Sequence, residues 1–228
     1  MTTLIFDADD TLWESVDHFR ATEDAFLDIL AEQGIDRARA RERVMQRDRE
    51  RAPKQGYGAG AFAKTLLATA DELLPGGSSY ELRRRVRHLG SALRRHPIQL
   101  LPMVFETLSD LRQRNRYRLV LLTKGHADEQ AAKVERSDLG RIFNHCEVLR
   151  EKHPAAYRDI VSRFDCSPER TWMIGNSPRS DINPALEAGL NAVYIPHPRT
   201  WELEQAQLLE SDRLTIVERF EDLLQLFP

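Results

Sequence analysis

Three carboxylates, Asp7, Asp9 and Asp10, follow the short apolar run Leu4-Ile5-Phe6 near the amino terminus. Acids spaced this closely repel one another, so something cationic or protonated must compensate them. Further on, Thr123-Lys124-Gly125 forms a turn able to offer a hydroxyl and backbone N–H groups to an anion. Lys152 stands in Glu151-Lys-His-Pro-Ala-Ala-Tyr157, and Gly175-Asn-Ser-Pro-Arg-Ser-Asp181 supplies a further carboxylate just past a glycine. Two carboxylates with open space between them suit Mg²⁺, a hard cation that takes few protein oxygens and keeps its waters. Taken alone, the Asp-x-Asp pair also fits a solvated acidic turn after an edge strand.

Positioning such groups requires strands. Leu4 to Phe6 is too short for a helical pattern and is rich in β-favouring residues, which predicts a buried strand ending at Asp7. Further strands are expected at 118–123, 145–149, 171–175, 192–195 and 214–217, with helices near 104–114, 128–136, 154–164, 181–188 and 220–226. Strands alternating with helices imply right-handed crossovers and a parallel sheet covered on both faces. Ligands bind at the carboxyl edge of such a sheet, where Asp7, Thr123, Lys152 and Asp181 would converge. Residues 14–96 read as helix throughout, an insert between the first strand and the rest. Its arginines, Arg37 to Arg51 and Arg83-Arg84-Arg85, read as solvated helix faces. The stretch from Pro53 to Gly60, with glycines at 56, 58 and 60, reads as an interruption between helices, with a ligand-facing loop as the sharper alternative.

Composition bounds the function. The 228 residues suit one large domain carrying a smaller insert, and the formal charge of −3 lacks the basic excess of a nucleic-acid binder. Cys146 and Cys166 show no Cys-x-x-Cys spacing, which points to a reducing compartment. No basic-then-apolar leader or bilayer-length apolar run is present, so a cytoplasmic protein with no membrane partner is expected.

Asp7-Ala-Asp-Asp-Thr11, Thr123, Lys152 and Gly175 to Asp181 together resemble the four ordered motifs of the haloacid dehalogenase superfamily, phosphatase type. The resemblance implies a Rossmann-like α/β core at 1–13 and 97–228 and a helical cap at 14–96. It further implies that Asp7 is the nucleophile and Asp9 the general acid and base. Thr123 and Lys152 would bind the phosphoryl group, with Lys124 and Gly125 beside them on the substrate. Asp7, Asp9, Asp181 and Asn176 would surround Mg²⁺. Asn176 departs from the pattern, since the family commonly has an acid there. The implied reaction is hydrolysis of a small phosphorylated metabolite through an aspartyl-phosphate. A phosphomutase shares every core group and is the alternative within the enzyme class. A phospho-aspartate signalling module is the alternative outside it, although the order of acids, Thr and Lys differs there. A dehalogenase is disfavoured, because such members lack an acid at the position of Asp9.

Overall fold

A computed structural model describes residues 1–228, which divide into two compact units, Met1–Val16 with Ile98–Pro228, and Asp17–Pro97. The second unit is built on helices α1 (Val16–Ala31), α2 (Arg37–Gln55), α3 (Ala59–Leu73) and α4 (Tyr80–Arg94). Phe62, Leu66 and Ala70 of α3 and Leu82, Val86 and Leu93 of α4 are buried within it at helical spacing. Asp36 and Ser79 cap α2 and α4 by accepting from Arg39 N and Leu82 N.

Two details of this unit differ from the sequence reading. Pro53 does not end α2, which runs on to Gln55 because the proline falls in the last turn, where one lost bond is tolerated. The glycine stretch narrows to a short link: Gly56 closes α2 at φ 85° and Gly58 opens α3 at φ 112°, conformations that favour glycine. Several arginines pair at or near the surface, Arg41 with Asp24 at 2.6 Å, Arg83 with Asp71 at 2.7 Å and Arg84 with Glu81 at 2.8 Å, while Arg43 and Arg47 are more covered against Glu72. Such pairs contribute little to stability.

Close approach of α3 and α4 depends on Gly90, where an added Cβ would lie 2.5 Å from the Cβ of Ala63. Gly90→Ala is therefore expected to destabilise by roughly 1–3 kcal/mol through overpacking, despite alanine's better helix propensity. Urea denaturation checks this, and an unchanged midpoint would contradict it.

The first unit carries a six-stranded sheet: β1 (Thr2–Phe6), β2 (Tyr117–Lys124), β3 (His145–Leu149), β4 (Thr171–Gly175), β5 (Asn191–Tyr194) and β6 (Leu214–Ile216). The order is β3-β2-β1-β4-β5-β6 and every pairing is parallel. Helices α5 (Val104–Gln113), α6 (Ala127–Arg136), α7 (Pro154–Arg163), α8 (Asn183–Glu187) and α9 (Leu223–Leu226) accompany it. Strand alternation distributes β1 between two layers. Leu4 and Phe6 pack with Leu108, Leu111 and Phe220, while Ile5 packs with Tyr157 and Ile160 of α7. Burial on both faces explains why β1 is a continuous apolar run. The expected helix at 181–188 is present as α8, preceded by a wide helical turn over Pro178–Ile182. No helix is long and apolar enough to cross a membrane.

Candidate active site

The strand order sets the site. β1 lies between β2 and β4, with Phe6 in register with Leu121 and Ile174. Asp7 thus emerges at the carboxyl edge beside the ends of both neighbours, and its N–H donates to Ile174 O at 2.9 Å. Thr123 is buried at the end of β2, opposite Val148. Lys152 follows β3 just before α7, whose start is capped by the His153 side chain accepting from Ala156 N. Asp181 sits in the wide turn after β4.

Lys152 joins these elements. Its Nζ donates to Asp7 Oδ1 at 2.5 Å and to Asp181 Oδ1 at 2.7 Å, with its side chain and that of Asp181 each only 1% exposed. Burial raises the Asp7 carboxyl against the opposing charge of Lys152. Burial and the charge of Asp7 push Asp181 up to about 7, again against Lys152. Burial alone would lower the Lys152 ammonium, but the two carboxylates outweigh that and raise it. Two buried acids sharing one ammonium leave an uncompensated negative charge in a low dielectric.

That imbalance is a physical test of whether a divalent cation suits the site, and the donors pass it. Thr11 Oγ1 lies 3.3 Å from Asp7 Oδ2 and 3.2 Å from Asn176 Oδ1, its single proton shared between the two acceptors, so the Asn176 oxygen converges with the Asp7 carboxylate. Asp7, Asp181 and Asn176 form an oxygen-only set with excess negative charge, the kind that suits Mg²⁺. Gly175 lets them approach: a Cβ there would lie 2.3 Å from Asp181 Oδ2. Ser177 N, donating to that oxygen at 3.0 Å, fixes it further.

Asp9 is placed differently. Its carboxylate accepts from Trp13 Nε1 at 2.7 Å, Gln130 Nε2 at 2.9 Å and Lys133 Nζ at 2.7 and 2.9 Å. Burial pushes the group up, but the Lys133 ammonium and the three donors outweigh it and hold the carboxyl at about 2. Asp9 is therefore held ionised by α6, and its side-chain oxygens are engaged there rather than with Lys152. Lys124 and Gly125, expected to face a substrate anion, are engaged within the protein. Lys124 Nζ reaches Glu204 at 2.5 Å and Ser180 Oγ at 2.8 Å, and Gly125 N donates to Leu149 O at 2.9 Å.

Asp10, to which the sequence reading assigned no chemistry, shapes the loop. At φ 62° it accepts from Ser15 N at 2.8 Å and Val16 N at 2.9 Å. Burial, with the charges of Asp9 and Asp7, pushes it to about 7 against those N–H donors. Asp10, Glu14 and His197 also bring ligand atoms within 4.8 Å of one another.

Sequence reasoning missed Gln130, Lys133 and Glu204. The first two had no signal in apolar periodicity: the buried residues of α6 are Glu129, Gln130 and Lys133, a polar face turned inward only in the folded protein. Glu204 carried none, because only the chain path brings it to Ser177 and Lys124.

The sequence profile of the haloacid dehalogenase-like hydrolases matches residues 1–189. A crystal structure of a haloacid dehalogenase-like hydrolase from Xanthomonas campestris superposes with a TM-score of 0.87, at 30% identity over 100% of this chain and 94% of that one. Glyceraldehyde 3-phosphate phosphatase of Methanothermobacter thermautotrophicus is 25% identical over 204 residues, 86% of this chain and 85% of that protein. Phosphoserine phosphatase of Thermus thermophilus is 30% identical over 146 residues, 60% of this chain and 55% of that protein. With most of the chain matched by the family profile and the ordered polar groups gathered on the edge of a parallel sheet, the protein belongs to the haloacid dehalogenase-like hydrolase family.

Proposed function

We propose that this protein is a Mg²⁺-dependent phosphatase that hydrolyses a small phosphorylated metabolite through a phospho-Asp7 intermediate. The observation that carries the reading is the buried Asp7–Lys152–Asp181 cluster, with its excess negative charge at the sheet's carboxyl edge. Relatives that include a glyceraldehyde 3-phosphate phosphatase and a phosphoserine phosphatase support the same reaction class.

In this reading an Asp7 oxygen attacks phosphorus, the bond to the ester oxygen breaks, and Asp9 gives that oxygen a proton. Water then attacks the phosphorus, Asp9 takes its proton, and the bond to Asp7 breaks. Lys152 holds Asp7 in place and offsets charge on the phosphoryl oxygens, with Thr123 beside it at the strand end. Asp7, Asp181 and Asn176 would hold Mg²⁺, which supplies charge neutralisation and polarises the phosphoryl oxygens. The contacts that hold Asp9 ionised suit the second half-reaction. In the first, Asp9 must enter protonated, against the pull of Lys133. The helical unit, Asp17–Pro97, would serve as a cap that sets substrate choice.

The test is phosphate release from a panel of phosphorylated metabolites that includes glyceraldehyde 3-phosphate and phosphoserine. Activity is expected with Mg²⁺, lost on chelation and restored when the metal returns. Acid quenching during turnover should trap phosphate on Asp7. Full turnover after rigorous metal removal, or no phosphate release from any ester, would sink the assignment.

A further inference from the structure

Helix α6 turns two polar side chains inward, Gln130 and Lys133, three residues apart and so on one face. Both are buried, at 3% and 7% exposure. Lys133 Nζ spans both oxygens of Asp9, and Gln130 Nε2 donates to one of them while also reaching Lys124 O at 3.2 Å. With Trp13 Nε1, these contacts hold both oxygens of the Asp9 carboxylate, so one of them must open when Asp9 carries a proton. The Asp9 side chain therefore has its orientation dictated from outside its own loop.

Neither residue is a natural choice for packing. Gln130 leaves its Oε1 buried without a hydrogen-bond partner, a costly state. The amide cannot be turned to relieve it, since that would point Oε1 at the Asp9 carboxylate. A buried ion pair is likewise no better for stability than a well-packed apolar pair of the same volume. What the pair provides is direction, because it ties one carboxylate to a rigid helix and, through Lys124 O, to the end of β2.

We propose that Gln130 and Lys133 are positioning residues that set the orientation from which Asp9 exchanges a proton with the leaving oxygen and with water. The inference rests on the reading of Asp9 as the proton-transferring group, and the test separates the two.

The experiment compares Lys133→Met, Lys133→Arg, Gln130→Leu, Asp9→Asn and the double variant Asp9→Asn/Lys133→Met in the full chain with Mg²⁺. An alkyl phosphate and a nitrophenyl phosphate are the substrates. Lys133→Met is expected to lower kcat on the alkyl ester by ~10- to 100-fold, with KM changed by less than about twofold. The loss on the nitrophenyl ester should be smaller, because that leaving group needs its proton less. Lys133→Arg should recover part of the rate by keeping a cation in place. The double variant should be no slower than Asp9→Asn alone, since a residue that acts through Asp9 has nothing left to orient.

Multiplying losses in the double variant, or an unchanged kcat in Lys133→Met, would overturn the inference while leaving the role of Asp9 intact. Equal losses on the two esters in Asp9→Asn would overturn the reading of Asp9 and the inference with it. Should Lys133→Met fail to fold, Gln130→Leu and its double with Asp9→Asn are read by the same criterion.

Discussion

Lys152→Met is expected to cost roughly 3–5 kcal/mol of stability at neutral pH in the presence of chelator. The ammonium stands between Asp7 and Asp181, and its loss leaves two buried carboxylates facing each other with no counter-charge. The pH dependence has a definite sign. Asp181 already has its folded value raised to about 7, well above the ~3.9 of an unfolded carboxyl. A raised carboxyl binds more protons folded than unfolded, so its unfavourable contribution grows as pH rises through that window and fades as pH falls. Without Lys152 the folded value rises further. The deficit of Lys152→Met should therefore be largest at pH 7 and above and shrink toward pH 5. Adding Asp181→Asn should restore part of the stability by removing one of the opposed charges. Urea titrations of the three proteins at the two pH values measure this, and a Lys152→Met midpoint equal to wild type at pH 7 would reject the charge argument. Turnover of Lys152→Met should fall by ~10²- to 10³-fold, the usual cost of removing one group that stabilises transition-state charge.

Gly175→Ala should be nearly as damaging to turnover, for a steric reason. The new Cβ would lie 2.3, 2.6 and 2.9 Å from Oδ2, Cγ and Cβ of Asp181. Asp181 is 1% exposed and held by Lys152 and Ser177 N, so it cannot step aside without breaking those contacts. A displacement of about 1 Å in a catalytic group can cost ~10²-fold in rate, and overpacking of this kind costs roughly 1–3 kcal/mol. Adding Asp181→Ala removes the two nearest atoms and should return much of the stability while leaving activity low. A Gly175→Ala protein with wild-type kcat/KM would show that Asp181 has room to move and that its position is not critical.

These predictions depend on features that differ in how legible they were. The strand ending at Asp7 could be read because burial on both faces demands an unbroken apolar run, and Leu4, Ile5 and Phe6 supply one. The other strands and most helices were equally readable from their periodicity. The parallel arrangement then forced Thr123, Lys152 and the Gly175–Asp181 turn toward the same edge, because right-handed crossovers leave few alternatives. Proline and glycine signals were less reliable. Pro53 reads as a break, yet its meaning depends on its distance from the helix end, which tertiary packing of the helical unit sets. The turn after β4 reads as a helix start, and its widening over Pro178–Ile182 brings Ser177 N onto Asp181.

The sequence by itself determined the fold class through the alternation of strands and helices, and the family and the identity of the acids and the lysine through the four ordered motifs that resemble it. Only the tertiary structure decided how those charges are paired. Lys152 joins Asp7 to Asp181, Lys133 holds Asp9, and Glu204 engages Lys124. Each link joins residues remote in the chain, and a charged side chain's partner depends on distances of a few ångström that no periodicity encodes. In a low dielectric those distances decide which carboxylate is held ionised and which is pushed toward its protonated form.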